Sequence, residues 1–347
     1  MRKLWIALVA ILGVLALVGV GGYFALKRPD IPYSTLDAKY ANAQSQWLDL
    51  GDGVSMHYRI EGNPEGRTLL LVHGFSASLH TWEPWVAQLG KTYRIVSLDL
   101  PGHGLTRTPP GFAPTNETFA DVVELAAQKL GLGKVIYAGN SMGGGVGWQL
   151  ALRHPARLDG LVLVDAAGWP DPREDPANRP VVFALLADPF WGPFIRDLDS
   201  TALTTQGLKA SFVDQSKVTP AMIARYTEMS RAPEHRQVLL MISSGRAGRT
   251  PATPELMAKI NVPTLVMHGD TDNLIPVESG RRFAETIPGA KLIIYEKVGH
   301  VPQEEIPERS AADLDAWIKS LPPTVQGAPI AAPAAVDAKP AKMDGVY

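Results

Sequence analysis

Along this chain short apolar runs alternate with longer segments of mixed polarity, but the first run is of a different kind. Leu4–Leu26 holds 23 residues without a charge, between Arg2-Lys3 and Lys27-Arg28. As a helix it would span about 34 Å, against roughly 30 Å for the hydrocarbon core of a bilayer. That length predicts an uncleaved signal-anchor over residues 1–28. A cleavable signal peptide is the rival, since such peptides carry about 7–15 apolar residues and a small-x-small site, here available at Val20–Gly22. Basic residues at both ends leave the positive-inside rule little to act on. A short basic N-terminus favours placing the large domain outside the cytoplasm.

Residues 29–45 read as a polar tether. Trp47–Leu50 and Ser55–Glu61 flank Gly51-Asp52-Gly53, and D-G between two such runs predicts a β-hairpin. Thr68–His73, Tyr93–Leu98, Lys134–Gly139, Leu158–Val164, Thr264–Gly269 and Lys291–Tyr295 are continuous apolar runs of the buried-strand type. Helical patterns occupy Phe119–Leu130, Val146–His154, Val277–Ile287 and Ala311–Ser320. Strands alternating with helices predict a mostly parallel sheet covered on both faces, over residues 46–321.

Between about 168 and 253 this rhythm breaks, which predicts an inserted helical cap after the sixth strand. Val181–Ile195 within it is rich in aromatic and aliphatic residues. Core is the usual fate of such residues; an acyl-chain pocket or a membrane-touching lid is the functional alternative. Residues 322–347 are rich in Ala and Pro without apolar periodicity and read as a disordered tail.

The chemistry concentrates at Val135–Gly145, V-I-Y-A-G-N-S-M-G-G-G. An apolar β-branched run ends in glycines around one serine, and helical composition follows. G-x-S-x-G (Gly139, Ser141, Gly143) at a strand-to-helix turn describes a nucleophile elbow. The same letters in an ordinary Gly/Ser loop would mean nothing; the strand before and the helix after give them their meaning. The turn strains the serine backbone, so neighbours two residues away must lack side chains.

A serine hydroxyl needs a base, and the base needs an orienting carboxylate. In this topology the chain order is Ser, acid, His. His154 sits at the far end of the helix carrying Ser141, His235 lies in the cap, and His268 falls inside a buried strand. His300, in the V-G-H-V-P loop after the last strand, is the base candidate. Asp270 and Asp272 both follow a strand directly in G-D-T-D-N. Asp272 reaches further round the turn, and Asp270 would then brace the loop. Asp165, after the sixth strand, is a further alternative acid. An oxyanion hole requires backbone N–H donors: Met142, the residue after the nucleophile, and Phe75 in H-G-F-S, with His73 and Gly74 shaping that loop. Asp99-Leu100-Pro101-Gly102-His103-Gly104 reads as a structural turn whose Asp and His brace neighbouring loops.

Net charge is -2 with 20% charged residues, so no basic stripe is available for nucleic acid. The absence of cysteine excludes disulfides, thiolate catalysis and Cys-type zinc sites together.

These residues together resemble the α/β-hydrolase superfamily, serine-nucleophile branch: H-G-F within Val72–Phe75, D-L-P-G-H-G at Asp99–Gly104, G-N-S-M-G-G at Gly139–Gly144, G-D-T-D at Gly269–Asp272 and G-H at Gly299–His300. The resemblance covers about Gln46–Leu321. It implies an eight-stranded, mostly parallel sheet with helices on both faces and an inserted cap. It also implies Ser141, Asp272 and His300 as a triad, Phe75 and Met142 as oxyanion donors, and no metal or organic cofactor. Within the superfamily the motifs and the apolar N-terminus are most similar to bacterial lipases and membrane-anchored monoacylglycerol lipases. The expected activity is hydrolysis of a small-molecule or lipid-like carboxylic ester, with the membrane as partner and a secreted form as the alternative. Carbon–carbon-bond hydrolases of ring-fission products also use G-N-S-M-G-G and stand as the rival. A non-catalytic binding protein on the same fold is the third reading. Haloalkane dehalogenases and epoxide hydrolases place Asp at the nucleophile position, a pattern that Ser141 excludes.

Overall fold

A computed structural model describes residues 2–171, 188, 190–244, 248 and 250–323. One sheet contains β1 (Ser45–Gly51), β2 (Val54–Gly62), β3 (Thr68–Val72), β4 (Arg94–Leu98), β5 (Val135–Asn140), β6 (Leu158–Val164), β7 (Thr264–Gly269) and β8 (Lys291–Tyr295). Their spatial order is β1-β2-β4-β3-β5-β6-β7-β8. β2 pairs antiparallel with β1 and with β4, and every other pairing is parallel. The eight-stranded, mostly parallel sheet is as expected.

The helices among the described residues are α1 (Arg2–Leu26), α2 (Tyr33–Tyr40), α3 (Glu83–Leu89), α4 (Asn116–Lys129), α5 (Met142–Arg153), α6 (Gly192–Arg196), α7 (Thr201–Ser211), α8 (Pro220–Met229), α9 (His235–Ser243), α10 (Pro254–Met257), α11 (Val277–Thr286), α12 (Pro302–Glu305) and α13 (Pro307–Ser320). Successive side chains of β5 enter opposite layers. Val135 and Tyr137 pack with Phe119 and Val123 of α4, Val146 and Trp148 of α5 and Phe283 of α11. Ile136 and Ala138 join the layer of Trp85 from α3 and Leu314 and Trp317 from α13. Because both faces are covered, every residue of β5 is buried, which is why the strand reads as an unbroken apolar run.

The hairpin turns where D-G predicted it. Asp52 and Gly53 have φ of 49° and 78°, the two positive values a type I′ turn needs. α4 begins three residues earlier than its apolar pattern suggests, because the Thr115 hydroxyl accepts the Thr118 N–H at 3.0 Å and caps the first turn.

Residues 29–45 are not a free tether. α2 buries Leu36 against Leu105, Met229 and Ala232, while Asp37 pairs with Arg107 and Lys39 with Glu228 at 2.7 Å. One apolar anchor in an eight-residue helix is too weak a periodic signal to stand out from a polar linker. Residues 324–347 of the 322–347 assignment and most of the Val181–Ile195 stretch (181–187 and 189) fall outside the described residues. Of that stretch, Phe190, Trp191 and Phe194 are exposed and stack on one another rather than entering core.

α1 runs for 25 residues with no acidic residue. Among the described residues no helix is long and apolar enough to cross a membrane; the side chains of α1 at 3, 4, 7–11, 15 and 16 lie outside that description. The end of α1 is fastened to the segment before α7: Arg28 N–H donates to Asp197 O at 2.8 Å and Asp199 N–H to Leu26 O at 2.9 Å.

A buried ion pair closes the α4–β5 corner. The Arg157 guanidinium donates to both oxygens of Glu124 (2.9 and 2.8 Å) and to the carbonyls of Leu132 and Gly133. Burial alone would raise the Glu124 carboxyl, but Arg157 and Gln128 hold it below its ordinary value. Arg157→Ala removes the cation from a buried carboxylate, leaving it Gln128 alone, and takes a donor from each of two carbonyls; it is expected to cost about 3–5 kcal/mol in urea unfolding. A loss below about 1 kcal/mol, the worth of an exposed pair, would contradict this account.

Candidate active site

Ser141 occupies the turn between β5 and α5 with φ 54° and ψ −117°, a region that L residues rarely adopt. The surroundings over-determine it. Its N–H donates to Val164 O at 2.9 Å, and its carbonyl accepts from Gly145 N at 3.1 Å and Ala167 N at 2.9 Å. Crowding explains the glycines: a Cβ on Gly139 would stand 2.2 Å from Gly143 O, and one on Gly143 would stand 2.2 Å from Val72 O.

The loop after β3 closes one side. A Cβ on Gly74 would lie 3.1 Å from that of Ser141, so the H-G-F-S loop is in contact with the nucleophile candidate. His73 is fully buried and its two nitrogens are committed: Nδ1 donates to Gly74 O at 2.7 Å and Nε2 accepts Leu100 N–H at 3.0 Å. Burial also lowers its proton affinity, so it braces the loop as a neutral ring. Phe75 is 42% exposed with its ring edge-on to His103. Met142 opens α5, and a first-turn N–H has no carbonyl one turn back, so it is available to an anion.

On the other side, His300 Nδ1–H donates to Asp272 Oδ2 at 2.7 Å, with both side chains buried. Asp272 Oδ1 accepts two further N–H groups, Leu274 at 2.7 Å and Ile275 at 3.0 Å. Asn140, the residue before Ser141, donates its side-chain amide to the His300 carbonyl at 2.9 Å. The His300 loop and the turn that carries Ser141 are thereby tied directly. Asn140 had no assigned role in the sequence reading, although it stands inside the G-N-S-M-G motif.

The other candidates fall elsewhere. Asp270 is exposed, and its Oδ1 accepts Lys297 N and Thr271 Oγ1, each at 2.7 Å, which braces the loop. Asp165 lies near Asp272 with φ 44°, fully buried; Oδ1 accepts Gly269 N–H at 2.9 Å, and Oδ2 has no hydrogen-bond partner within 3.5 Å among the described residues. Burial, and next the Asp272 charge, hold the Asp165 carboxyl well above the carboxylate range. Asp272 feels the same burial, but the charge and hydrogen bond of His300 outweigh it and hold its carboxyl below its ordinary value. Two adjacent carboxyls in low dielectric do not both ionise, and here Asp272 carries the charge. His154 is on the outer surface against Asp121, and His235 is buried against Met229 O and Thr106 O.

Asp165, His268 and Asp272 bring one potential ligand atom each within 4.8 Å of one another. His268 Nε2 bonds to Ile275 O at 3.1 Å, and a carbonyl only accepts, so that nitrogen carries a proton. With Asp165 neutral as well, the donor set suits a proton network better than a cation.

A family model described as alpha/beta hydrolase fold matches residues 67–307. Lipase 1 of Psychrobacter immobilis is 28% identical over 278 residues, covering 78% of this chain and 82% of that protein. The 2-hydroxymuconate semialdehyde hydrolase of Pseudomonas sp. (strain CF600) is 27% identical over 257 residues, covering 71% and 85%. Among solved structures, a membrane phospholipase A described as a bacterial virulence factor superposes with a TM-score of 0.68 at 28% identity, covering 92% of this chain and 98% of that one.

The charge assignment is testable. Asp272→Asn is expected to lower kcat on a short ester by about 10⁴ through loss of the correct imidazole tautomer. Asp165→Asn replaces one neutral group by another and should leave kcat within about tenfold. A loss at Asp165→Asn equal to that at Asp272→Asn would move the charge to Asp165.

Proposed function

We propose, for a chain that belongs to the alpha/beta hydrolase fold family, that this hydrolase cleaves carboxylic esters of lipid-like substrates with Ser141 as nucleophile. The observation that carries the reading is the His300–Asp272 pair, joined through Asn140 to the strained turn that presents Ser141. In this mechanism His300 removes the Ser141 proton as the hydroxyl attacks the ester carbonyl. Asp272 holds the ring in the Nδ1–H tautomer and stabilises the imidazolium. The N–H groups of Met142 and Phe75 receive the oxyanion. His300 then protonates the leaving alcohol, and water, activated by the same ring, releases the acid.

The lipid-like specificity and a membrane location are part of the proposal. They are supported by the uncharged sequence run Leu4–Leu26, by the attachment of its end to the segment before α7, and by Phe190, Trp191 and Phe194, which are exposed, with the Phe194 ring 6.0 Å from that of Tyr23. Aromatic side chains with one wet edge suit a membrane–water boundary. In this reading residues 1–28 anchor the chain and the hydrolase domain lies outside the cytoplasm.

Carbon–carbon hydrolysis is the second reading, and one observation favours it besides the relatives. Such a substrate carries a carboxylate that wants a cation, and the Nε of Arg225 on α8 is buried without a hydrogen-bond partner among the described residues. Against it, Arg225 already faces Glu304, whose carboxyl burial raises to about 7, and Arg231 spends Nε and Nη2 on Pro29 O.

Ser141→Ala is expected to reduce hydrolysis of p-nitrophenyl butyrate below about a thousandth of wild type, with thermal unfolding unchanged. Retained turnover would remove Ser141 from the mechanism. A panel of p-nitrophenyl esters from acetate to palmitate, monoacylglycerols and one ring-fission product should show the highest kcat/KM on a medium- or long-chain ester. Preference for the ring-fission product would select the second reading.

A further inference from the structure

The histidine loop is held from a direction that the catalytic constellation does not need. Glu305, at the end of α12, is 5% exposed and spreads its carboxylate between two backbone donors. Oε2 accepts the N–H of Gly299 at 2.7 Å, and Oε1 accepts the N–H of Asp214 at 2.7 Å. Gly299 precedes His300, whereas Asp214 belongs to the cap, three residues beyond α7. A third bond runs alongside: His300 N–H donates to the carbonyl of Ser211, the last residue of α7, at 2.8 Å. The approach is so close that a Cβ on Gly299 would lie 2.4 Å from Ser211 O.

We infer that Glu305 is a positioning residue that clasps the cap to the base loop, so that the seating of the cap sets the alignment of His300. The inference rests on the reading of His300 as the general base. His300 is fixed at three points: its side chain by Asp272, its carbonyl by Asn140 and its N–H by Ser211. The first two holders belong to the sheet and its loops, and the third to the cap. A carboxylate accepting backbone N–H groups makes short, strong bonds. It does so from both sides of the seam, holding the cap carbonyl where His300 N–H can reach it. The clasp therefore acts on the geometry of proton transfer, where a misplacement of about 1 Å can cost two orders of magnitude.

The experiment uses the full-length enzyme with p-nitrophenyl butyrate, each rate expressed per active site titrated with a fluorophosphonate. Glu305→Gln keeps shape but turns an acceptor into an amide donor that faces a backbone N–H. Asp214→Pro deletes the cap-side donor at φ −81°, a value proline tolerates. Asp214→Ala keeps that N–H and removes only the side chain, which bonds Ser216. Expected are kcat losses of roughly 10- to 100-fold for Glu305→Gln and Asp214→Pro with KM within about threefold, and near-wild-type kcat for Asp214→Ala. The fluorophosphonate labelling rate of Ser141, which also depends on an aligned base, should fall in the same ratio. A purely structural role would lower the titratable fraction and the unfolding temperature while leaving kcat per site unchanged. Equal kcat per site for Asp214→Pro and Asp214→Ala would overturn the clasp, and that pair, on an exposed segment, decides the matter if Glu305→Gln does not fold. Hydrolysis that survives Ser141→Ala would instead overturn the proposed function.

Discussion

At the β5–α5 turn the backbone of Ser141 is bonded on both sides, to Val164 through its N–H and to Gly145 and Ala167 through its carbonyl. These bonds hold φ at 54° against the steric preference of an L residue, a strain of order 1–3 kcal/mol. The turn directs the Ser141 side chain off the end of β5 and starts α5 on the next residue. The cost appears as a demand on neighbours, since Gly139, Gly143 and Gly74 all lie where a side chain would meet backbone or Ser141 itself. The strand, the helix and the β3 loop therefore cannot shift independently. What holds the serine also seats the candidate oxyanion donors and orients the N-terminus of α5.

The opposite half of the site is organised by charge. Asp165 and Asp272 leave the ends of adjacent parallel strands, so the topology itself brings two carboxyls into one dry corner. Ionising both there would be costly, and the partners break the tie. Asp272 receives two N–H groups and the imidazole, whereas Asp165 receives one N–H group. A single charged carboxylate against a single imidazole is the arrangement general-base chemistry uses.

Features encoded by adjacent residues were legible in the chain. Asp52-Gly53 announces its turn, unbroken apolar runs announce strands covered on both faces, and G-N-S-M-G-G announces the elbow, where the crowding of Gly139 against Gly143 is local even though Gly143 also meets Val72 O. Features created by distant partners were not. Nothing near Asp165 says that Asp272 lies beside it, and nothing near Glu124 says that Arg157 will bury with it. Leu36 anchors α2 through contacts with residues from 105 to 232, so its local sequence resembles a linker. Glu305 is silent for the same reason: its two partners are backbone groups, which carry no signature of residue type.

α7 stands between the N-terminal helix and the loop that carries His300. α7 has 11 residues, about 16 Å of helix, and is bonded beyond both ends. Before it, Asp199 takes the Leu26 carbonyl through its N–H and pairs with Arg28 at 3.1 Å. At its other end, Ser211 O and Asp214 N–H bond the His300 loop and Glu305. Arg236 and Arg231 add bonds from the cap to the Arg28 and Pro29 carbonyls, so the joint with α1 does not hang on one contact. A helix pinned this way transmits displacement, because a short helix bends little and its end bonds are directional. The end of the N-terminal helix and the backbone of His300 are thus bonded near opposite ends of one short helix, so a displacement of α7 loads both joints.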